Sequence, residues 1–153
     1  NYIVDSTELN DDYDTPVLTA GKTFILGYTN EHNGIYQKQN LPVIIFDDFT
    51  TATQFVDFQF KVKSSAMKIL KAKANINIKY IYEVMQNLKF EVGGHGRHWI
   101  SVYANLVIDF PSLKEQTKIA NFLSAIDKKI ALVSNQIKDT QEYKKGLLQQ
   151  LFV

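Results

Sequence analysis

Hydrophobic positions in the last third of the chain recur at alternating spacings of four and three. Ile119, Leu123, Ile126, Ile130, Val133 and Ile137 run without a break, and Leu147 and Leu151 resume the pattern after one weak layer at Thr140 and Lys144. This is the 3.5-residue period of a coiled-coil seam. Lys118, Lys128, Lys129, Lys138 and Asp139 fall off it, and the polar layer is suited to setting register. Pro111, Ser112 and Glu115 form a helix start signal: the serine oxygen caps free amides, and the glutamate three residues on favours the positive end of the helix. The spacing therefore predicts one helix from Pro111 to Phe152, a rod of roughly 60 Å at about 1.5 Å per residue. A stripe of large aliphatics that long requires a cover, so a second helix is expected, from another chain or another copy.

Upstream the period shortens. Asn1 to Asp14 is acidic and poor in apolar residues, and reads as a surface loop. Pro16 to Ala20 and Thr23 to Gly27 read as a tight strand pair turned at Gly21, and Asn33–Gly34 is a turn dipeptide. Leu41 to Phe46 is almost continuously apolar, as in a strand buried on both faces, and it delivers Asp47 and Asp48 to its end. Phe55 to Val62 places Phe58, Phe60 and Val62 on one side and Asp57, Gln59 and Lys61 on the other, the pattern of a half-buried strand. Met67 to Leu70 reads as a further strand. Asn77 to Leu88 carries Ile81, Val84, Met85 and Leu88 at helical spacing with Asn77 as cap, and Ile100 to Ile108 reads as a last strand. The fold class is α+β: a small mixed-sheet domain with a short helix over residues 1–110, then one long C-terminal coiled-coil helix over 111–153.

At 153 residues, with 45% hydrophobic and 12% aromatic content, the chain supports one modest core besides the helix. There is no cysteine, which excludes disulfides, thiolate metal sites and cysteine nucleophiles. No apolar run approaches the eighteen or so residues that span a bilayer, and no basic apolar leader opens the sequence, so a cytoplasmic setting away from membranes is expected. The first residue is Asn1, which suggests a fragment or processed product with an upstream strand missing. The net charge of +1 conceals segregation. Residues 1–60 carry two lysines against nine acids, a net of −7, whereas Lys61 to Arg97 carries eight bases against two acids, a net of +6. Such a segment either presents a basic face to phosphates or simply solvates a surface with Lys68, Lys71, Lys73 and Lys79.

Gly93-Gly94-His95-Gly96-Arg97-His98-Trp99 is the most unusual loop. Its glycines permit close approach of backbone to a surface while a guanidinium and two imidazoles project. Arg97 can donate two parallel hydrogen bonds to a guanine edge, and either histidine can bond a base or a phosphate. The plainer reading is a turn before a strand with Trp99 in the core. His95 and His98 without a neighbouring third ligand make a poor metal site. Tyr80 and Tyr82 read as core and rim packing in preference to a base-stacking platform. Asp47 and Asp48, adjacent on a strand, point to opposite faces and do not readily share one ion, so a turn role is expected for them. No metal site is expected.

Pro111 to Gln116, Lys118-Ile119-Ala120, Phe122-Leu123, Ile126-Asp127, Ile130 and the ending Lys144 to Phe152 resemble the repeated helical region of type I restriction-modification specificity subunits. Pro16 to Gly21 with Gly27 to Asn30 resembles the opening of the target-recognition domains of the same subunits. The resemblance covers half of that family's plan, one DNA-reading domain and one helix. It implies a non-catalytic component that reads one half-site in double-stranded DNA and binds modification subunits. The restriction subunit joins through the complex, and S-adenosylmethionine, ATP and magnesium belong to partner subunits. The helix implies an antiparallel pairing with a second copy or another specificity half, through Ile119, Leu123, Ile126, Ile130, Val133, Ile137, Leu147 and Leu151. Under this reading lysines such as Lys22 and Lys63 lie on phosphates, and Arg97, His95, His98, Thr50 and Thr51 lie near base edges. Tyr28, Thr29, Thr53 and Ser64 complete the candidate set.

Catalytic inventories are missing. The chain has no phosphate-cradling glycine loop ending in lysine and serine or threonine, no glycine-rich dinucleotide or methyl-donor loop after a strand, and no asparagine-proline-proline-aromatic signature. A protein-interaction module that does not bind DNA is the second reading, distinguished by a weak response of binding to salt. A stand-alone nuclease is a third and predicts metal-dependent cleavage.

Overall fold

The computed structural model describes residues 2–88, 97, 99 and 102–152. Two three-stranded sheets form the globular part. In the first, β1 (Thr15–Leu18) lies between β2 (Ile25–Thr29), which is antiparallel to it, and the two-residue β5 (Lys61–Val62), which is parallel. In the second, β3 (Val43–Asp47) lies between β4 (Thr53–Val56) and β6 (Met67–Leu70), both antiparallel. The fold is thus α+β, with α1 (Ile78–Asn87) against the second sheet and α2 (Leu113–Leu151) leaving the globular part.

The apolar run of β3 is explained by burial on both faces. Val43 and Ile45 join Leu18, Tyr36, Val56, Phe60 and Val62 in the core shared by the two sheets. On the opposite face, the ring of Phe46 meets Trp99 at 5.3 Å and Tyr103 at 4.7 Å between centroids. Asn77 caps α1 as its sequence position predicts, its side chain accepting from the Tyr80 N–H at 3.1 Å. Tyr80 is buried and Tyr82 half-buried against Phe55, in agreement with a packing role for both.

Several boundaries differ from the sequence pattern. The second strand begins two residues later than Thr23 and runs through Gly27, where the register against β1 slips. Gly27 has φ of 155°, and a β-carbon there would stand 2.9 Å from the Leu9 β-carbon, so glycine fits both the backbone and the space. Phe55 to Val62 is not one strand. It pairs in the second sheet up to Val56 and in the first from Lys61, and Asp57 to Phe60 carries the chain between them while preserving the alternation of exposed and covered residues. Of the segment expected as a strand over Ile100 to Ile108, Ile100 and Ser101 lie outside the described residues, and the rest contains a 3-10 turn at Tyr103–Asn105 followed by chain that joins no sheet as far as Phe110. Its Tyr103, together with Trp99 just before the segment, covers the Phe46 face. The acidic opening is also more integrated than a surface loop: Val4 is buried, Ile3 bridges to Val62, and the Val4 N–H donates to Val62 O at 3.0 Å.

The long helix begins as its start signal predicts. Ser112 Oγ accepts from the Glu115 N–H at 3.4 Å, while Glu115 Oε2 accepts from the Ser112 N–H at 3.0 Å and its hydroxyl at 2.7 Å. The Ser112 hydroxyl and N–H hold the Glu115 carboxyl below the usual carboxylate range. Only Gln116 and Ala120 of the 39 residues are buried, so the helix touches the globular part at its beginning and then projects.

Candidate nucleic-acid interface

Strand directions decide which loops share an end of the domain. β1 stops at Leu18 and turns through residues 19–24, carrying Lys22, before β2 returns. Because β5 runs parallel to β1, its exit lies beside that turn, and the Lys63 N–H donates to Leu18 O at 3.0 Å. Residues 63–66 then pass to the second sheet, where the Asp48 N–H donates to Ala66 O at 3.1 Å and Met67 pairs with Asp47. β3 exits and β4 enters at this same end, so the loop 48–52 and Thr53 lie there too. One margin therefore gathers Lys22, Lys63, Ser64, Thr50, Thr51 and Thr53.

The loop of residues 48–52 is held by its own polar groups. Asp47 Oδ1 accepts from the N–H groups of Phe49 at 2.8 Å and Thr50 at 2.9 Å, the turn role expected of it. Thr51 adopts φ of 59°, an uncommon state for a β-branched residue and a local strain of the kind concentrated at functional sites. Asp48 is fully buried; its Oδ1 accepts from the Trp99 N–H at 2.8 Å, and its Oδ2 lies 3.5 Å from Lys68 Nζ. This tether brings Arg97 to the loop, where its guanidinium stands 6.0 Å from the centre of the exposed Phe49 ring. Arg97 itself is exposed.

Two expected contacts lie elsewhere. Tyr28 and Thr29 sit at the far end of β2, paired with Pro16 and Thr15, a strand length from Lys22. Thr29 is 1% exposed and its Oγ1 accepts from the Glu31 N–H, so it offers no surface to a ligand. Ser64 and Thr53 are half-buried: Ser64 Oγ accepts from the Ala66 N–H, and Thr53 Oγ1 accepts from Gln86 Nε2. His95 and His98 lie outside the described residues.

The segregated charge of the sequence is partly cancelled inside the fold. Lys61, on the polar side of its expected strand, is 2% exposed; its Nζ pairs with Glu31 and donates to Asn33 O at 2.8 Å. Glu31 also accepts from the N–H groups of Asp5 and Ser6, and the Lys61 ammonium with these amides holds its carboxyl below the ordinary range. Burial opposes charge on Lys79, but Glu83 at 2.8 Å and Asp127 at 3.4 Å outweigh it and raise its pKa. Lys22 and Lys63 remain exposed at the gathered margin.

Sequence reasoning missed Asp48 as an anchor, Phe49 as a support for Arg97, and the Glu31 partner of Lys61. The signal for Asp48 was faint: a carboxylate directly after a fully buried strand is often kept by a specific donor. No group of three or more metal-ligating side chains stands together among the described residues, and no helix among them is long and apolar enough to cross a membrane. A cavity of about 710 Å³ lies between β6, α1 and the segment before α2; its described lining is aliphatic and aromatic apart from Lys68, Lys71 and Lys73, and holds no carboxylate.

The chain belongs to the family described as the type I restriction modification DNA specificity domain, whose model matches residues 1–142. It is similar to the type I restriction enzyme EcoR124I/EcoR124II specificity subunit of Escherichia coli, at 46% identity over 155 residues covering 94% of this chain. The chain spans 38% of that relative's length. Its family is that of the specificity component, which is not the catalyst.

Proposed function

We propose that this chain reads one half of a bipartite site in double-stranded DNA and, through its long helix, places that reading domain at a set distance from a second one. Membership of the DNA specificity family carries this reading, and the gathering of Arg97, Thr50, Thr51, Lys22 and Lys63 at one margin supports it. Lysines on phosphates fix register, while Arg97 and the loop hydroxyls face base edges. Residues 1–110 form the reading unit and 111–153 the spacer. Two copies paired antiparallel would select a palindrome; pairing with a different half would select an asymmetric site. Modification subunits, and a restriction subunit through the complex, are the partners. They supply the S-adenosylmethionine, ATP and magnesium chemistry, the chain needs no cofactor of its own, and the cytoplasm is where it meets DNA.

The test is selection from a randomised duplex library by the chain together with a modification subunit. Recovery of two short half-sites at one separation supports the reading. A stable protein complex that enriches no duplex and whose formation is indifferent to salt would replace it with the interaction-module reading.

A further inference from the structure

We propose that Gln116 is the positioning residue that locks the direction of α2 relative to the reading domain, and so sets the separation of the half-sites; this rests on the DNA reading above. Gln116 is a polar side chain only 2% exposed, and with Ala120 it is one of the two buried residues of the rod, close to its start. Both ends of its amide are used. Oε1 accepts from the Asn77 N–H at 2.9 Å, and Nε2 donates to Pro111 O at 2.9 Å. Asn77 is the cap of α1, and Pro111 precedes the cap of α2, so one side chain ties the entrances of both helices together.

Adhesion alone would be served by an aliphatic residue of similar volume. Two directional bonds from one planar amide define rotation and register as well, which is the use best attested for a buried polar group between helices. Ala120, also 2% exposed and one turn further along, lets the rod approach closely. Among the described residues, two further ties are weaker: Asn77 Nδ2 to Thr117 Oγ1 at 3.4 Å, and the partly exposed Lys79 to Asp127 pair.

The joint matters because of leverage. Over 39 residues the helix is about 58 Å long, so a tilt of about 10° at Gln116 moves the far end by about 10 Å, or about three base pairs at 3.4 Å each.

The absence of cysteine permits selective spin labelling. Cysteines placed at the exposed positions Asp57 and Glu142 report the distance between the globular part and the distal helix, in chains carrying Gln116, Gln116→Met or Thr117→Ala. Gln116→Met, folded by circular dichroism, is expected to broaden the distance distribution toward the about 10 Å swing of the rod. Thr117→Ala is expected to leave it narrow. In duplex selection, Gln116→Met is expected to recover the same half-site sequences over several neighbouring separations. Should Gln116→Met fail to fold, Gln116→Glu keeps the acceptor for Asn77, removes the donor to Pro111, and is held to the same expectation. An unchanged distribution in a folded variant overturns the joint, and a broadened distribution with a single retained separation overturns its role in spacing. If the unaltered chain enriches no duplex, the DNA reading falls and the spacing claim with it, whereas the distance measurement still reports on the joint.

Discussion

The backbone N–H of Trp99 donates to the buried carboxylate of Asp48 at 2.8 Å, across a sequence separation of 51 residues. The bond fastens the chain next to Arg97 to the exit of β3. Asp48→Ala leaves the Trp99 N–H and the Lys68 ammonium without this partner and is expected to cost about 1–3 kcal/mol of stability. Asp48→Asn keeps an acceptor and should cost less. Chemical denaturation ranks the variants, and DNA retention should fall in the same order.

Arg97 is the described side chain best suited to a base edge. Arg97→Ala is expected to lose about 1–3 kcal/mol of discrimination at one base pair of the selected site. Arg97→Lys, a compact cation without the planar fork, should keep overall affinity better than it keeps discrimination. Competition between the selected duplex and single mismatches reads both effects, and an equal loss on every duplex would reassign Arg97 to the phosphates.

Lys22 and Lys63 are exposed at the shared margin. Lys22→Ala and Lys63→Ala should weaken all duplexes alike, each reducing the slope of log affinity against log salt by about 1. A salt titration by fluorescence anisotropy measures it; an unchanged slope would remove that lysine from the interface.

The Glu31 to Lys61 pair makes stability depend on pH in one direction. Its folded carboxyl lies below its unfolded value, so the stabilisation is present above the unfolded pKa and is lost as pH falls through the folded one. Melting temperature should drop on acidification, and Glu31→Gln should flatten that part of the profile. The same variant leaves Lys61 buried without its partner, at a cost of about 3–5 kcal/mol. Adding Lys61→Met is expected to recover part of the loss, because it removes the orphaned charge.

Ile130 is 59% exposed in the single chain, on a seam shared with Val133 and Ile137. Ile130→Lys should hardly change the melting of the globular part within the whole chain, yet it should abolish helix pairing by placing a charge in an apolar layer. Analytical ultracentrifugation distinguishes the two effects, and a persistent pair would move the contact off this seam.

Local rules made much of this protein readable from its residues. The long helix to Leu151, the Ser112 and Glu115 start, the Asn77 cap and the two-faced burial of β3 follow from periodicity and capping, which act over a few residues. Gly93 to Trp99 stood out by composition, although of its polar side chains only Arg97 belongs to the described residues. The long-range partners were decided by tertiary structure. Phe55 to Val62 reads as one strand because alternation is blind to which sheet receives each end, and Lys61 reads as a solvated lysine because its alternation cannot reveal Glu31, thirty residues away. Thr29 was lost to burial in the same way. The gathering of Lys22, Lys63, the loop of residues 48–52 and Arg97 depends on β5 running parallel to β1 and β6 antiparallel to β3. Strand direction arises from pairing between distant segments, and no local pattern records it.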